Sequence, residues 1–135
     1  MASSRGQVGF EYLIFTTFLL IVVVILFAYA FTIYSQSIQL VQTQAAVDSL
    51  SSAVDFVYAK GPGNSILLNI TLPQGLSELR VDQNYVIATL HQGGSPTHVF
   101  AFTKAHIDSR FLFFEQGPYT LRVTMGDVNV HVVNI

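Results

Sequence analysis

The longest uninterrupted apolar stretch of the chain, from Leu13 to Tyr34, limits the fold more than any other feature. It contains no charged residue, no Pro and no Gly, and apolar side chains would surround a helix there on all sides. Such a helix would be about 33 Å long, close to the roughly 30 Å of a bilayer hydrocarbon core. Tyr12 and Tyr29 lie near its two ends, where interfacial aromatic residues are common. We therefore predict a membrane-spanning helix over residues 13–34.

The length of this stretch also separates it from a secretory signal peptide, whose apolar region has roughly 7–15 residues before a small-residue cleavage site. Ala28 and Ala30 are embedded among aromatic residues and do not form such a site. We therefore expect the helix to be retained. Arg5 is the only positive side chain before it and Lys60 the first after it, which places the N-terminus in the cytoplasm and the remainder outside the cell.

A single carboxylate, Glu11, stands at the start of the apolar stretch. A charged carboxylate in apolar surroundings is costly unless it has a partner. If the membrane segment begins at Leu13, Glu11 lies at the water interface and the cost is small. If the helix is buried elsewhere, Glu11 needs a partner. The residues that precede Glu11 favour the second interpretation.

The segment RGQVGFEY resembles the class III signal of archaeal type IV pilin-like proteins. In that family a short basic leader is cut before a Gln, and a Q-x-S-x-E-Y signature opens a long hydrophobic helix. The residues that match the leader end and the signature are Arg5, Gly6, Gln7, Glu11 and Tyr12. Gly9 stands where the family usually has Ser.

The resemblance implies a processed subunit that polymerises. A prepilin-type signal peptidase would remove residues 1–6 by cutting between Gly6 and Gln7. A pilus assembly ATPase and a membrane platform protein would then move the subunit from the membrane into a helical filament of identical copies, a surface filament for adhesion. Inside the filament, Glu11 would pair with the new amino group of Gln7 of a neighbouring copy and set the axial register, with Tyr12 part of the same assembly signature.

Two other functions stay open on the sequence. One is a minor pilin or pseudopilin that starts or tips a filament. The other is a bitopic membrane protein that does not assemble and whose extracellular β domain binds a ligand. The mature N-terminus distinguishes the processed subunits from the last class.

The helix is predicted to continue beyond the apolar stretch, from about Gln7 to about Lys60. No Gly or Pro interrupts the polar part, and an apolar stripe recurs every three or four residues. The stripe consists of Leu40, Thr43, Val47, Leu50, Val54 and Val57. It is expected to hold a soluble domain, with a dimeric coiled coil and a bend near residues 35–37 as alternatives. A helix stop follows at Gly61-Pro62-Gly63.

From Asn64 onward the hydrophobic period changes to two, which indicates strands. The expected strands cover residues 65–72, 76–81, 85–90, 97–103, 119–125 and 128–133, with residues 105–110 ambiguous. Gly126-Asp127 suits a two-residue type II′ hairpin. The predicted fold class is therefore α+β: a long N-terminal hydrophobic helix with a small antiparallel β-sheet domain, residues 64–135, packed on its C-terminal half.

No catalytic, metal or cofactor motif can be recognised, and we do not predict an enzyme. The four histidines have no short ligand spacing, and Glu78, Asp82, Asp108, Glu115 and Asp127 are expected to be solvated loop charges. There is no Cys, and a net charge of −2 does not support nucleic-acid binding. Only 10% of the residues are charged, which suits subunits packed side by side.

Two further surface features are predicted. Asn69-Ile70-Thr71 is an N-glycosylation sequon, and period two places Asn69 on the outward side of the first strand. The segment from Phe111 to Phe114 is either an exposed contact patch or a set of alternately buried strand residues.

Overall fold

The structure, a computed structural model, describes the backbone of residues 3–112 and 115–135 and the side chains of residues 6–108 and 115–135. Within those residues one helix precedes five strands. They are α1 (Ser3–Lys60), β1 (Ser65–Leu72), β2 (Leu76–Gln92), β3 (Ser95–Leu112), β4 (Gly117–Met125) and β5 (Val130–Asn134). The chain divides after Ser37 into two compact units. The predicted α+β class is confirmed.

Helix α1 is a single element through residues 35–37 and ends at the predicted stop. Gly61 has a φ of 89°, a left-handed conformation that side chains disfavour. Asn64 Nδ2 donates to the carbonyls of Lys60 and Gly61, both over 3.0 Å, and so satisfies carbonyl groups that the helix end leaves open.

The predicted stripe of α1 forms the helix side of the hydrophobic core. Val47, Leu50, Val54 and Val57 are completely buried, and the stripe's buried part begins at Thr43 because Leu40 remains exposed. The strands contribute the other side, with Ile70, Leu72, Leu79, Val81, Val86, Ile107, Leu121, Val123 and Val130 among the residues of the same cluster. The stripe therefore holds the β domain and does not form a coiled coil within the chain.

The sheet has the order β1-β4-β5-β3-β2 and is mixed, not purely antiparallel. β1 pairs antiparallel with β4, and β2 with β3, but β5 meets β3 in parallel at Ile107 and Val130. The reason is topological. β5 lies between β3 and β4, which run in opposite directions, so it can be antiparallel to only one of them.

Strand β2 folds back on itself near Gln83. His91 N donates to Gly75 O over 2.9 Å, and Ser77 Oγ donates to Thr89 O over 3.0 Å. Ser77 and Thr89 are 12 residues apart, which a straight strand would separate by about 40 Å. The bend therefore lies where the sequence predicted a break between two short strands.

Local chemistry holds this bend. Gln83 has a positive φ of 33° and the pairing with β3 shifts on both sides of it. Asp82 accepts from Arg80 at 2.8 Å and from the Tyr85 hydroxyl at 3.2 Å. The expectation that Asp82 is a solvated loop charge was therefore wrong, since its side chain is only 16% exposed. Opposite this bend the pairing is interrupted on β3, where no residue between Phe102 and Ile107 pairs with β2.

The predicted two-residue hairpin at Gly126-Asp127 was also wrong. Met125 pairs with Val130, so the loop contains four residues, and Gly126 N donates to Asn129 O over 2.9 Å. Gly126 does not have the positive φ that a type II′ turn requires. A tight turn occurs instead at Gly93-Gly94, both with positive φ, where the sequence predicted a longer loop.

Candidate functional site

The residues of the predicted processing and assembly site all lie within α1. Gly6, Gln7, Glu11 and Tyr12 are exposed, and Arg5 belongs to the same helix. Of the predicted leader, residues 1–6, Met1 and Ala2 lie outside the described residues. Gln7 and Glu11 are four residues apart, and such positions are neighbours on one helix face. The predicted cut therefore falls one helical turn before the carboxylate.

The apolar part of α1 is exposed on every side. Between Val8 and Tyr34 its large apolar side chains keep between 38% and 75% of their surface accessible, the limits being Val22 and Phe27. Fully burying one such side chain contributes roughly 1.5–3 kcal/mol. Among the described residues, this helix alone is long and apolar enough to cross a membrane. This apolar surface is unfavourable in water, and the described residues of the unit that ends at Ser37 do not cover it.

The threonine hydroxyl groups in this segment have partners within the helix itself. Thr16 and Thr17 donate to the carbonyls of Tyr12 and Leu13 over 2.8 Å, and Thr32 donates to that of Ala28 over 3.0 Å. Bonds of this kind satisfy the donor inside the helix itself. These three threonines can therefore enter lipid or a dry helix bundle without an unsatisfied donor.

Glu11 differs from these polar residues. Among the described residues it forms no ion pair, and its side chain is exposed. It is also the only Asp or Glu before Asp48. The segment thus combines a large apolar surface with one charge that no described group of the same chain compensates. Such a charge can select a partner and a register when the helix is buried.

Comparison of the chain with protein-family models, with characterised proteins and with solved structures gives no match.

A cluster of polar side chains around Asp108 is a further feature of the β domain that the sequence did not predict. Asp108 contacts His131 Nδ1 at 2.6 Å and accepts from Asn129 Nδ2 at 2.8 Å. The other ring nitrogen of His131 faces Gly126, since a Cβ built there would lie 2.8 Å from Nε2. The cluster therefore anchors the loop between β4 and β5 to β3, and Asp108 is not a solvated loop charge.

The described residues contain no group of three or more His, Asp or Glu side chains that could hold a metal ion. His98 contacts Thr89 at 3.1 Å across the β2–β3 pair. The contact between His131 and Asp108 could not be predicted from their separation in the sequence. It arises because β5 pairs with β3 beside these two residues.

The predicted aromatic patch falls largely outside the described part of the chain. Phe113 and Phe114 are not described, and the segment before them ends β3. Two other aromatics are exposed instead: Phe100 and Phe102, with ring centroids 5.5 Å apart in an edge-to-face arrangement. The alternation of inward and outward residues along β3 would have predicted that Phe100 and Phe102 are exposed, because Val99 and Thr103 are buried.

The sequon Asn69-Ile70-Thr71 lies in β1 with Asn69 and Thr71 exposed and Ile70 buried. Asn69 Oδ1 accepts from Thr120 Oγ1 over 2.9 Å, which leaves Nδ2, the nitrogen that carries an N-linked glycan, outside that bond. The predicted outward position of Asn69 agrees with this geometry. Modification itself stays a prediction.

We expect the native protein to carry a glycan on Asn69, because the residue is exposed within a sequon and the predicted orientation of the chain puts it outside the cell. Mass spectrometry of the peptide that spans Asn69 measures the added mass. Thr71→Ser keeps the sequon and should keep the glycan, whereas Thr71→Ala should abolish it. An unmodified native peptide would remove the prediction.

Proposed function

We propose that this chain is the structural subunit of an archaeal type IV-like pilus. It is inserted in the membrane through α1, processed between Gly6 and Gln7, and polymerised through the same helix into an adhesive surface filament. The observation that carries the proposal is the exposed apolar helix with Glu11 at its start, because a bundle of such helices would bury both the apolar surface and the charge.

The glycine just before the predicted cut, Gly6, adds support. A Cβ built at Gly6 would meet no atom within 4 Å, and its φ is not positive. Glycine in a helix interior costs about 1 kcal/mol relative to Ala. Nothing in the described part of the chain therefore calls for glycine at position 6, and a small residue there suits recognition by an enzyme such as the prepilin-type signal peptidase.

Gly6→Val is the test of this processing step. We expect the variant to keep its helix and its membrane insertion, since the added side chain has open space, but to retain residues 1–6. Gly9→Ala is the matched control, because a Cβ at Gly9 also meets no atom within 4 Å. N-terminal sequencing of the membrane and sheared-surface fractions should find Gln7 first in the wild type and in Gly9→Ala.

The same measurement separates the alternatives. A wild-type protein that starts at Met1 and occurs only in the membrane would contradict the proposal and indicate a bitopic membrane protein. A mature protein starting at Gln7 that makes up only a trace of the sheared filaments would indicate a minor pilin.

A further inference from the structure

The outer face of the hairpin that joins β2 to β3 exposes a pair of aromatic side chains. Phe100 and Phe102 keep 55% and 72% of their surface accessible, whereas Val99 is buried in the core on the opposite side of the sheet. The two ring planes meet at 77°, and in this edge-to-face contact each ring limits the motion of the other. Tyr85 and Ile87 lie opposite them on β2 and are half-buried. The face is therefore a small, ordered apolar platform.

The same hairpin carries positive and imidazole groups but no acid. Residues 83–107 contain Lys104 and three of the four histidines and no Asp or Glu, although the whole chain has a net charge of −2. His98 is exposed two residues before Phe100, and Lys104 is exposed two residues after Phe102. Alternate residues of a strand share one side of the sheet. The aromatic pair thus has a nitrogen donor on each side along β3.

Both flanking side chains keep a group available for a ligand. Asp55 Oδ1 accepts from the backbone N of Lys104 over 2.7 Å, but the Lys104 ammonium group forms no ion pair in the described part of the chain. Thr89 Oγ1 lies 3.1 Å from Nδ1 of His98, which leaves Nε2 outside that contact. An anionic oxygen could therefore bind at either end without displacing a present partner.

The size and charge of this face exclude most classes of partner. Nucleic acids and anionic membranes are held by clusters of Lys and Arg, and this face has one lysine. A neutral apolar partner would cover the Lys104 ammonium group without a counter-charge. A stable protein interface needs about 800 Å² on each side, whereas residues 98–104 and the strand beside them cover about 20 Å by 10 Å. A narrow, sparsely anionic partner with apolar faces fits best.

We propose that this face binds an acidic polysaccharide. The C–H groups on one side of a sugar ring carry a weak positive charge and pack against the negative face of an aromatic ring, here Phe100 or Phe102. A carboxylate further along the polymer accepts from the Lys104 ammonium group, and another accepts from a ring N–H of His98. Charge-assisted bonds of this kind select an acidic polymer over a neutral one.

The position of the face suits an adhesive role. The inner face of the sheet packs on the α1 stripe, so the outer face is turned away from that helix. In a filament built around α1 the platform would lie on the outside, where a long polymer can reach it. The inference rests on the proposed function for this role, since it names the class of surface to which the filament adheres, but the binding itself does not require a filament.

Binding of the full chain in n-dodecyl maltoside to immobilised hyaluronan is the first test. Only alternate sugar rings of this polymer carry a carboxylate, and neutral dextran is the comparison polymer. We expect the dissociation constant for hyaluronan to be at least about tenfold lower than that for dextran or for single-stranded oligothymidylate. Equal binding to hyaluronan and dextran, or tighter binding to the oligonucleotide, would overturn the proposal.

Substitutions on the face test the assigned residues. Phe102→Ala and Lys104→Gln should each raise the dissociation constant for hyaluronan at least about fivefold. Leu67→Ala and Lys60→Gln are the matched controls, because Leu67 is 62% exposed on β1 and Lys60 is exposed at the end of α1. Circular dichroism checks that all four variants stay folded. Equal losses in the controls would contradict the assignment.

Filament assembly is measured separately in the same variants. Phe102→Ala and Lys104→Gln should still begin at Gln7 and give the wild-type amount of sheared filaments. Normal filaments that do not bind hyaluronan would refute this inference alone. Hyaluronan binding by a wild-type protein that never forms filaments would keep the binding face and refute the proposed function.

Discussion

Glu11→Gln is expected to reduce the yield of surface filaments by at least about a hundredfold while leaving processing at Gln7 intact. The substitution keeps the size of the side chain and removes its charge. In the proposed helix bundle it leaves the amino group of a neighbouring copy buried without its partner, and breaking a buried pair in this way costs about 3–5 kcal/mol. Each 1.4 kcal/mol is a factor of ten in an association constant.

The measurement is the amount of protein in sheared filaments relative to the amount in the membrane, together with the N-terminal sequence of both fractions. Asp127→Asn is the matched control, because Asp127 is an exposed carboxylate in the loop after β4. The mass of the mature N-terminus should be recorded as well, since a cyclised Gln7 has no charge and would leave only hydrogen bonding. Normal filament yield from Glu11→Gln would refute a role of the carboxylate in setting register.

Features that depend on neighbours in the sequence could be predicted. The stripe from Thr43 to Val57 and the alternation of β1 both follow from the period of a single element buried on one side. The helix end at Lys60 follows from the glycines after it. Each of these patterns involves only residues that are close together in the sequence, so it can be recognised without knowing the fold.

Features that depend on distant pairing could not be predicted. The fold-back of β2 requires a positive φ at Gln83, a residue type with no special preference for it. The contact between Asp108 and His131 exists only because β5 is inserted beside β3. The partner of Glu11, in the proposed filament, belongs to another copy. Its need for a partner is visible in one chain, but the partner is not.

The same helix that would build the filament also holds the β domain together, so a second large effect is expected at Leu50. Leu50 is completely buried in the middle of the α1 stripe. Leu50→Ala removes that side chain from the core and leaves a cavity, which costs about 2–5 kcal/mol. A domain is stable by only about 5–15 kcal/mol, so the loss is a large fraction of the total. We expect the melting temperature of the β domain to fall by roughly 10–25 °C.

Thermal unfolding followed by circular dichroism, with the full chain in detergent, measures this shift. Leu67→Ala is the matched control because Leu67 is 62% exposed on β1, and such a surface change is expected to alter the free energy of unfolding by less than about 0.5 kcal/mol. Similar melting temperatures for the two variants would mean that the stripe of α1 does not form the core. If Leu50→Ala unfolds the domain but leaves the apolar segment, residues 13–34, helical in detergent, that segment and the β domain are separate units of stability.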